Sequence, residues 1–351
     1  MGIHTFLFGH TSSGEPVFAR TVGNRNGMRM TVLDYGATIQ SLCVPDRNGV
    51  RRDIVCGYDD VYGYEKDTTY CGAIVGRWAN RIGKGAFSLD GKSYTLACNN
   101  GENHLHGGSV GYSHRIWACR EEGEDTLSFA LDSPDGEEGY PGTLHITVTY
   151  RLTEDNALSI RYFAQAESKS VINLTNHTYF NLGGFASGDV LRQQLRLDAD
   201  AYLRTDAGLI PTGEIVSVIG TPFDFTKSKP IGQDLFADCA DLHLAGGYDH
   251  CFCFPDGAQS EAVLRGCAYD PESGCGLELY TDQPCVQLYT ANFLKKPDYP
   301  LKGGYPQAVH HAFCLETERM PDSMNHPGFT ACTINPDAPY THHTIYRFFA
   351  K

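Results

Sequence analysis

Two short segments carry side chains suited to moving protons. Asn173-Leu174-Thr175-Asn176-His177-Thr178-Tyr179-Phe180-Asn181-Leu182 sets an imidazole among amides, hydroxyls and rings. Histidine changes charge nearest neutral pH, so His177 is suited to giving or taking a proton. Read as a strand, the run puts Asn173, Thr175, His177, Tyr179 and Asn181 on one face and Ile172, Leu174 and Phe180 on the other. Such a face suits a sugar, whose hydroxyls need partners and whose C–H faces stack on rings. An exposed polar face has the same pattern. In Ala312-Phe313-Cys314-Leu315-Glu316-Thr317-Glu318, the residues Cys314, Glu316 and Glu318 alternate with Phe313, Leu315 and Thr317. Two carboxylates on one face make either a solvated edge or, lining a cleft, a general base whose proton affinity is raised by burial.

Other polar clusters surround these in the sequence. Glu102 to Gly108 contains His104 and His106, a His-x-His pair that reads as sugar-binding or structural because no third metal ligand of matching character lies nearby. Gly76 to Ile82 concentrates Arg77, Asn80 and Arg81, and a guanidinium fork can hold several oxygens or brace the fold. Gly246-Gly247-Tyr248-Asp249-His250 places an acid after two glycines, which is a ligand site or merely an Asx turn. There are 13 cysteines. The first residues lack a charged segment followed by a long apolar one, so reduced thiols are expected. Cys251-x-Cys253 and Cys239 do not have zinc-site spacing and read as small buried apolar residues; no metal or other cofactor is expected.

Strands must position these groups. Leu144, Ile146, Val148 and Tyr150 alternate with Thr143, His145, Thr147 and Thr149, and Leu158, Ile160 and Tyr162 repeat the pattern after a turn at Asp155-Asn156. Turn pairs at Asn48-Gly49 and Asp90-Gly91 predict hairpins, and 38 glycines and 17 prolines punctuate many short strands. Gln233 to Asp238 reads as a short helix. No repeat or linker divides the chain, so one large all-β antiparallel domain over residues 1–351 is expected. Hydrophobic residues make up 41% and charged residues 20%, ordinary for a globular protein. A net charge of -14 argues against nucleic acid or an anionic membrane as partner, and no apolar run is long enough to span a bilayer. A neutral small molecule fits such a surface.

In order along the chain, these segments resemble the aldose 1-epimerase family. The match runs through Thr31-Val32-Leu33-Asp34-Tyr35-Gly36-Ala37-Thr38, Val75 to Ile82, Leu105-His106-Gly107-Gly108, Asn173 to Leu182, Leu209-Ile210-Pro211-Thr212-Gly213, Gly247-Tyr248-Asp249-His250 and Leu315-Glu316-Thr317. The resemblance implies a large antiparallel β-sandwich with an open sugar cleft, and an enzyme that interconverts the anomers of a free aldose, galactose before glucose. It implies His177 as proton donor, Glu316 as proton acceptor, and Asn80, Arg81, His106, Tyr179, Asp249 and Gln287 as the sugar-holding set. A monosaccharide is then the partner, in a cytoplasmic monomer or homodimer. Thr226, Cys285, Ala291 and Glu318 depart from the family's usual arginine, glycines and glutamine. A sugar-binding module without turnover, a glycosidase using Asp249 and Glu316, and a hexose-6-phosphate epimerase are the competing readings. The last would require a basic phosphate cluster.

Overall fold

The computed structural model describes residues 2–295 and 299–351, and among them the chain is built from antiparallel sheets. Leu144–Leu152 alternates buried with half-exposed residues along its whole length, as its period of two dictates. It lies within a nine-stranded sheet whose order is Ala118–Glu121, Thr126–Ser133, Leu144–Leu152, Ala157–Ala166, Tyr340–Ala350, Cys275–Thr281, Val263–Tyr269, Gln194–Leu197 and Lys229–Pro230. A five-stranded sheet of consecutive strands covers His4–His10 to Arg51–Asp53. A second five-stranded sheet runs Pro211–Ser217, Ala201–Thr205, Asp249–Cys253, Cys285–Tyr289 and Cys314–Glu318. The hairpin at Asp90-Gly91 has both turn residues at positive φ, 51° and 77°, as a tight turn between right-twisted strands requires.

One hydrophobic core draws on all three sheets. It contains Val22 and Met30 from the first, Ile146 and Tyr150 from the nine-stranded sheet, and Phe252, Val286, Leu288 and Leu315 from the second five-stranded sheet. Each of these side chains contributes about 1.5–3 kcal/mol through burial. The last four residues face the core, so alternation turns Asp249, Gln287 and Glu316 to the opposite face. Two polar ties fix that sheet to the nine-stranded one: Tyr346 donates to the Leu315 carbonyl at 2.8 Å, and Thr317 Oγ1 meets His342 Nε2 at 2.9 Å.

Two local expectations are corrected. Asn173 to Leu182 is not a continuous strand: only Thr175–Asn176 pairs regularly, with Ile74–Val75, and the remainder is extended chain buried on both sides. Its amides hold neighbouring loops. Asn173 Nδ2 donates to Ala79 O and Arg319 O, and Asn181 Nδ2 to Gly188 O and His311 O. The helix lies at Ala240–Ala245 rather than Gln233–Asp238. Gln233 to Asp238 is spent on turns closed from Ala237 N to Asp234 O and from Cys239 N to Ala237 O. The helix ends at Gly246, in the left-handed conformation that favours glycine. Gly247 follows at φ 141°, where a side chain would meet Asn292 Oδ1 at 2.5 Å. The glycine pair therefore turns the chain sharply into Asp249. No helix among the described residues is long and apolar enough to cross a membrane.

Candidate active site

The outward face of the second five-stranded sheet is the floor of a cleft of about 830 Å³. Register sets the floor residues side by side. Gln287 is directly opposite Glu316 on one flank, and Asp249 is opposite Tyr289 on the other. Gln287 Nε2 donates to Asp249 Oδ1 at 2.7 Å, which leaves Gln287 Oε1 buried without a protein partner. Glu316 Oε2 is also buried and unpartnered. Buried oxygens in this state are costly unless a ligand supplies hydrogen bonds.

His177 reaches the same cleft from the extended segment. Its backbone N–H donates to Ala73 O, and its carbonyl accepts from Gly72 N, both at 2.9 Å. The ring stacks on Tyr179 at 5.0 Å between centroids. Its Nδ1 faces Cys314 Sγ at 3.6 Å, and its Nε2 lies 3.5 Å from Glu316 Oε1. The cleft wall comes from Asn80, Arg81 and His106. Arg81 Nε donates to Asn100 Oδ1 at 3.1 Å, and its Nη1 lies 3.9 Å from Asp249 Oδ2. His106 Nδ1 accepts from Asn80 N at 3.0 Å, which fixes the ring and leaves Nε2 for the cleft. The structure thus brings His177, Glu316, Asn80, Arg81, His106, Tyr179, Asp249 and Gln287 to one cleft. Tyr179 lends its ring only, because its hydroxyl donates to Thr69 O at 2.9 Å.

Several polar residues of these segments serve the fold instead. Arg77 is buried, and its guanidinium donates to the carbonyls of Pro141, Gly142, Ser133 and Pro134 and to Ser133 Oγ. His104 bridges Ala97 O at 2.7 Å and the Tyr140 hydroxyl at 2.5 Å. Gly107 approaches the Gly76 carbonyl, where a Cβ would sit 1.7 Å from the oxygen, so its glycine serves chain packing rather than a ligand. Thr226 caps Asp224 outside the cleft, and Ala291 occupies a left-handed φ of 51° that explains why glycine suits the position. Glu318 is fully buried, accepting from Asn80 Nδ2 at 3.0 Å.

Burial dominates the electrostatics. It pushes His177 down to about 4 and, together with the Glu318 and Asp249 carboxylates, holds Glu316 well above the usual carboxylate range. Glu318 is pushed up to about 8 by burial, and His106 is driven well below 6.5, chiefly by burial with a contribution from His177. The pair His177–Glu316 therefore favours its uncharged form, with one proton on the carboxyl. Ligand atoms of His106, His177 and Glu316 lie within 4.8 Å of one another, a donor set that also suits a borderline divalent cation.

Sequence reading missed the rings around His177. Tyr70 stacks on His177 at 6.1 Å and meets His106 edge-on at 4.6 Å, while Tyr289 meets His177 edge-on at 6.1 Å. Tyr289 was legible as the residue two positions after Gln287 on the same strand face. Tyr70, at a left-handed φ of 58° outside any strand, gave no periodic signal.

The sequence signature of the aldose 1-epimerase family matches residues 19–347. The chain belongs to the aldose 1-epimerase family. The family's reaction is the interconversion of the anomers of a free aldose, and the chain is an isomerase of this kind. It is 42% identical over 346 residues to a galactose mutarotase from Bos taurus, covering 97% of both chains. An aldose 1-epimerase from Escherichia coli (strain K12) is 38% identical, over 96% of this chain and 97% of its own. Among solved structures, the aldose epimerase homologue from C. elegans superposes with a TM-score of 0.86 at 30% identity, over 94% of this chain and 98% of its own. The galactose 1-epimerase from Lactobacillus acidophilus NCFM gives the same TM-score at 26% identity, covering 100% and 99%.

Proposed function

We propose that this epimerase acts on galactose before other aldoses, with Glu316 as general base and His177 as general acid. The observation that carries this reading is the 3.5 Å approach of His177 Nε2 to Glu316 Oε1, both buried at the floor of the cleft. Glu316 takes the proton of the C1 hydroxyl while His177 gives one to the ring oxygen. The bond between C1 and the ring oxygen breaks, leaving an open-chain aldehyde. Rotation about C1–C2 presents the other carbonyl face, and the two residues return their protons as the ring closes. A positioned acid or base each contributes about 10²–10⁴-fold.

Arg81, Asp249, His106, Asn80 and Gln287 would hold the hydroxyls during opening, with the Tyr179 ring behind His177. Keeping the sugar oriented matters because a freely tumbling aldehyde recloses without use of the pair. Arg81 and Lys84 are the cationic side chains lining the cleft among the described residues. They are too few to make a dedicated phosphate cluster, which favours the free sugar over its 6-phosphate.

Polarimetry of freshly dissolved α-galactose tests the assignment. Glu316→Gln should lower kcat by about 10²–10⁴-fold, with sugar affinity within a few-fold of wild type. A variant that turns over at a tenth of the wild-type rate or faster would remove Glu316 as the base. Wild-type protein that fails to exceed spontaneous mutarotation would make the chain a binding module instead.

A further inference from the structure

Next to the sugar-facing residues, the same sheet carries a cluster for which the epimerase reaction has no use. Cys253 and Cys285 are direct cross-strand partners, and Cys251 lies two residues along on the same face. The Cys253 and Cys285 sulfurs are 3.8 Å apart, and all three sulfurs lie within 4.8 Å of one another. We propose that Cys251, Cys253 and Cys285 form a three-sulfur binding site for copper(I).

Geometry and donor chemistry both point to this ion. With a metal–sulfur bond of about 2.3 Å, three sulfurs around one metal stand about 4.0 Å apart. The strand ladder therefore holds the thiols near coordinating separation before any ion arrives. Among the described residues no His, Asp or Glu ligand atom joins the group within that 4.8 Å. Structural zinc takes four ligands, and hard cations take oxygen, so an all-sulfur set of three selects a soft, closed-shell ion content with low coordination. The pocket around the thiols is apolar, formed by Leu203 and Phe329 with Ala201 and the Met320 thioether packed against it. Such a wall excludes the water that would hydrate copper(I) and promote its disproportionation.

Proton release is the chemical cost of binding. Cys251, Cys253 and Cys285 turn their thiols toward one another from adjacent strands of the ladder. Each of those thiols loses its proton to solvent as its S–H bond is replaced by a Cu–S bond. Copper enters and stays as Cu(I), by exchange from a small-thiol complex, and nothing is oxidised or reduced. The neighbouring Asp200 carboxylate makes a cation welcome there.

The test is an anaerobic titration of the full chain with Cu(I) in competition with bicinchoninate, followed by X-ray absorption at the copper edge. One equivalent should be retained with three sulfur scatterers at about 2.3 Å. Losing a residue behind a metal ligand already costs about 10–100-fold in affinity, so Cys285→Ala, which deletes a ligand, should lose at least that much. Cys98→Ala, at an exposed cysteine elsewhere, should bind like wild type. Mutarotase activity of Cys285→Ala reports that it is folded, and Cys251→Ala serves if it is not. Equal copper affinity in wild type and the folded variant, nitrogen or oxygen scatterers, or retention of Zn(II) in preference to Cu(I) would each overturn the proposal.

Discussion

At the scale of the residue, the uncharged form of the His177–Glu316 pair has a consequence for rate. The mechanism starts from an ionised Glu316 and a protonated His177, but burial favours a protonated Glu316 and a neutral His177. That second arrangement is the one reached halfway, when the open-chain aldehyde occupies the site. The protein thus stabilises the proton distribution of the high-energy midpoint over that of the closed sugar, which is where binding free energy accelerates a reaction. Both arrangements carry one shared proton, so activity should be bell-shaped in pH, with limbs belonging to the pair. Below the lower limb both groups are protonated and no base remains. Above the upper limb both are deprotonated and no acid remains. The acid limb of kcat/KM should fall near pH 4 rather than 6.5, and the alkaline limb well above the ordinary carboxylate range. An acid limb at pH 6.5 in a pH-rate series would mean that His177 is not desolvated. The sequence made both residues legible as candidates. It placed Glu318 on the same face as Glu316 but did not reveal the distance between His177 and Glu316, because proximity across strands depends on register.

At the scale of the element, alternation was a sound guide where a strand lies in a ladder and a poor one where it does not. Cys314–Glu318 has Leu315 in the core and Glu316 in the cleft, as its period of two requires. Asn173 to Leu182 also looked periodic, but tertiary contacts on both sides replaced ladder pairing, so its amides became braces for loops. The paired arginines of Gly76 to Ile82 separated for a similar reason. Arg81 faces the cleft, while Arg77 gathers the carbonyls of Ser133, Pro141 and Gly142 at a strand end and its following loop. Arg77→Ala should destabilise the protein by about 3 kcal/mol or more by removing a buried guanidinium together with its several hydrogen bonds. Thermal unfolding measures this, and a change below 1 kcal/mol would mean that water replaces the guanidinium at ~no cost.

At the scale of the whole molecule, buried titratable groups set the acid stability. His104, His106, His177, His250 and His342 are all buried with affinities lowered mainly by desolvation. In the unfolded chain they take up protons near pH 6.5, while the folded protein does not, so stability falls as pH drops from there. Each contributes at most about 1.4 kcal/mol per pH unit, and only between its folded and unfolded affinities. Glu316 and Glu318 act in the opposite sense, since the folded state keeps their protons at pH values where the unfolded chain has lost them. His114 and His343 join the histidines, and Asp34 and Asp322 join the raised carboxyls, so seven groups stand against four and stability falls as pH drops below 6.5. Urea unfolding across that range should show the midpoint falling steeply with acid, and a flat midpoint would contradict the buried neutral histidines. The all-β class and the antiparallel connections were legible from alternation and turn pairs. The division into separate sheets sharing one core was not, because it arises from packing that gathers residues as distant in sequence as Val22 and Phe348 into one cluster.

The contact between His177 and Glu316 also fixes how the enzyme deals with solvent. One residue loads a proton as the other unloads, and ring closure reverses both transfers, so each turnover ends with the pair as it began. No proton has to be fetched from or discharged to the medium. Mutarotation by this protein should therefore be indifferent to buffer concentration at constant pH and ionic strength. A rate that climbs with added imidazole would mean that the circuit leaks to solvent during the lifetime of the aldehyde.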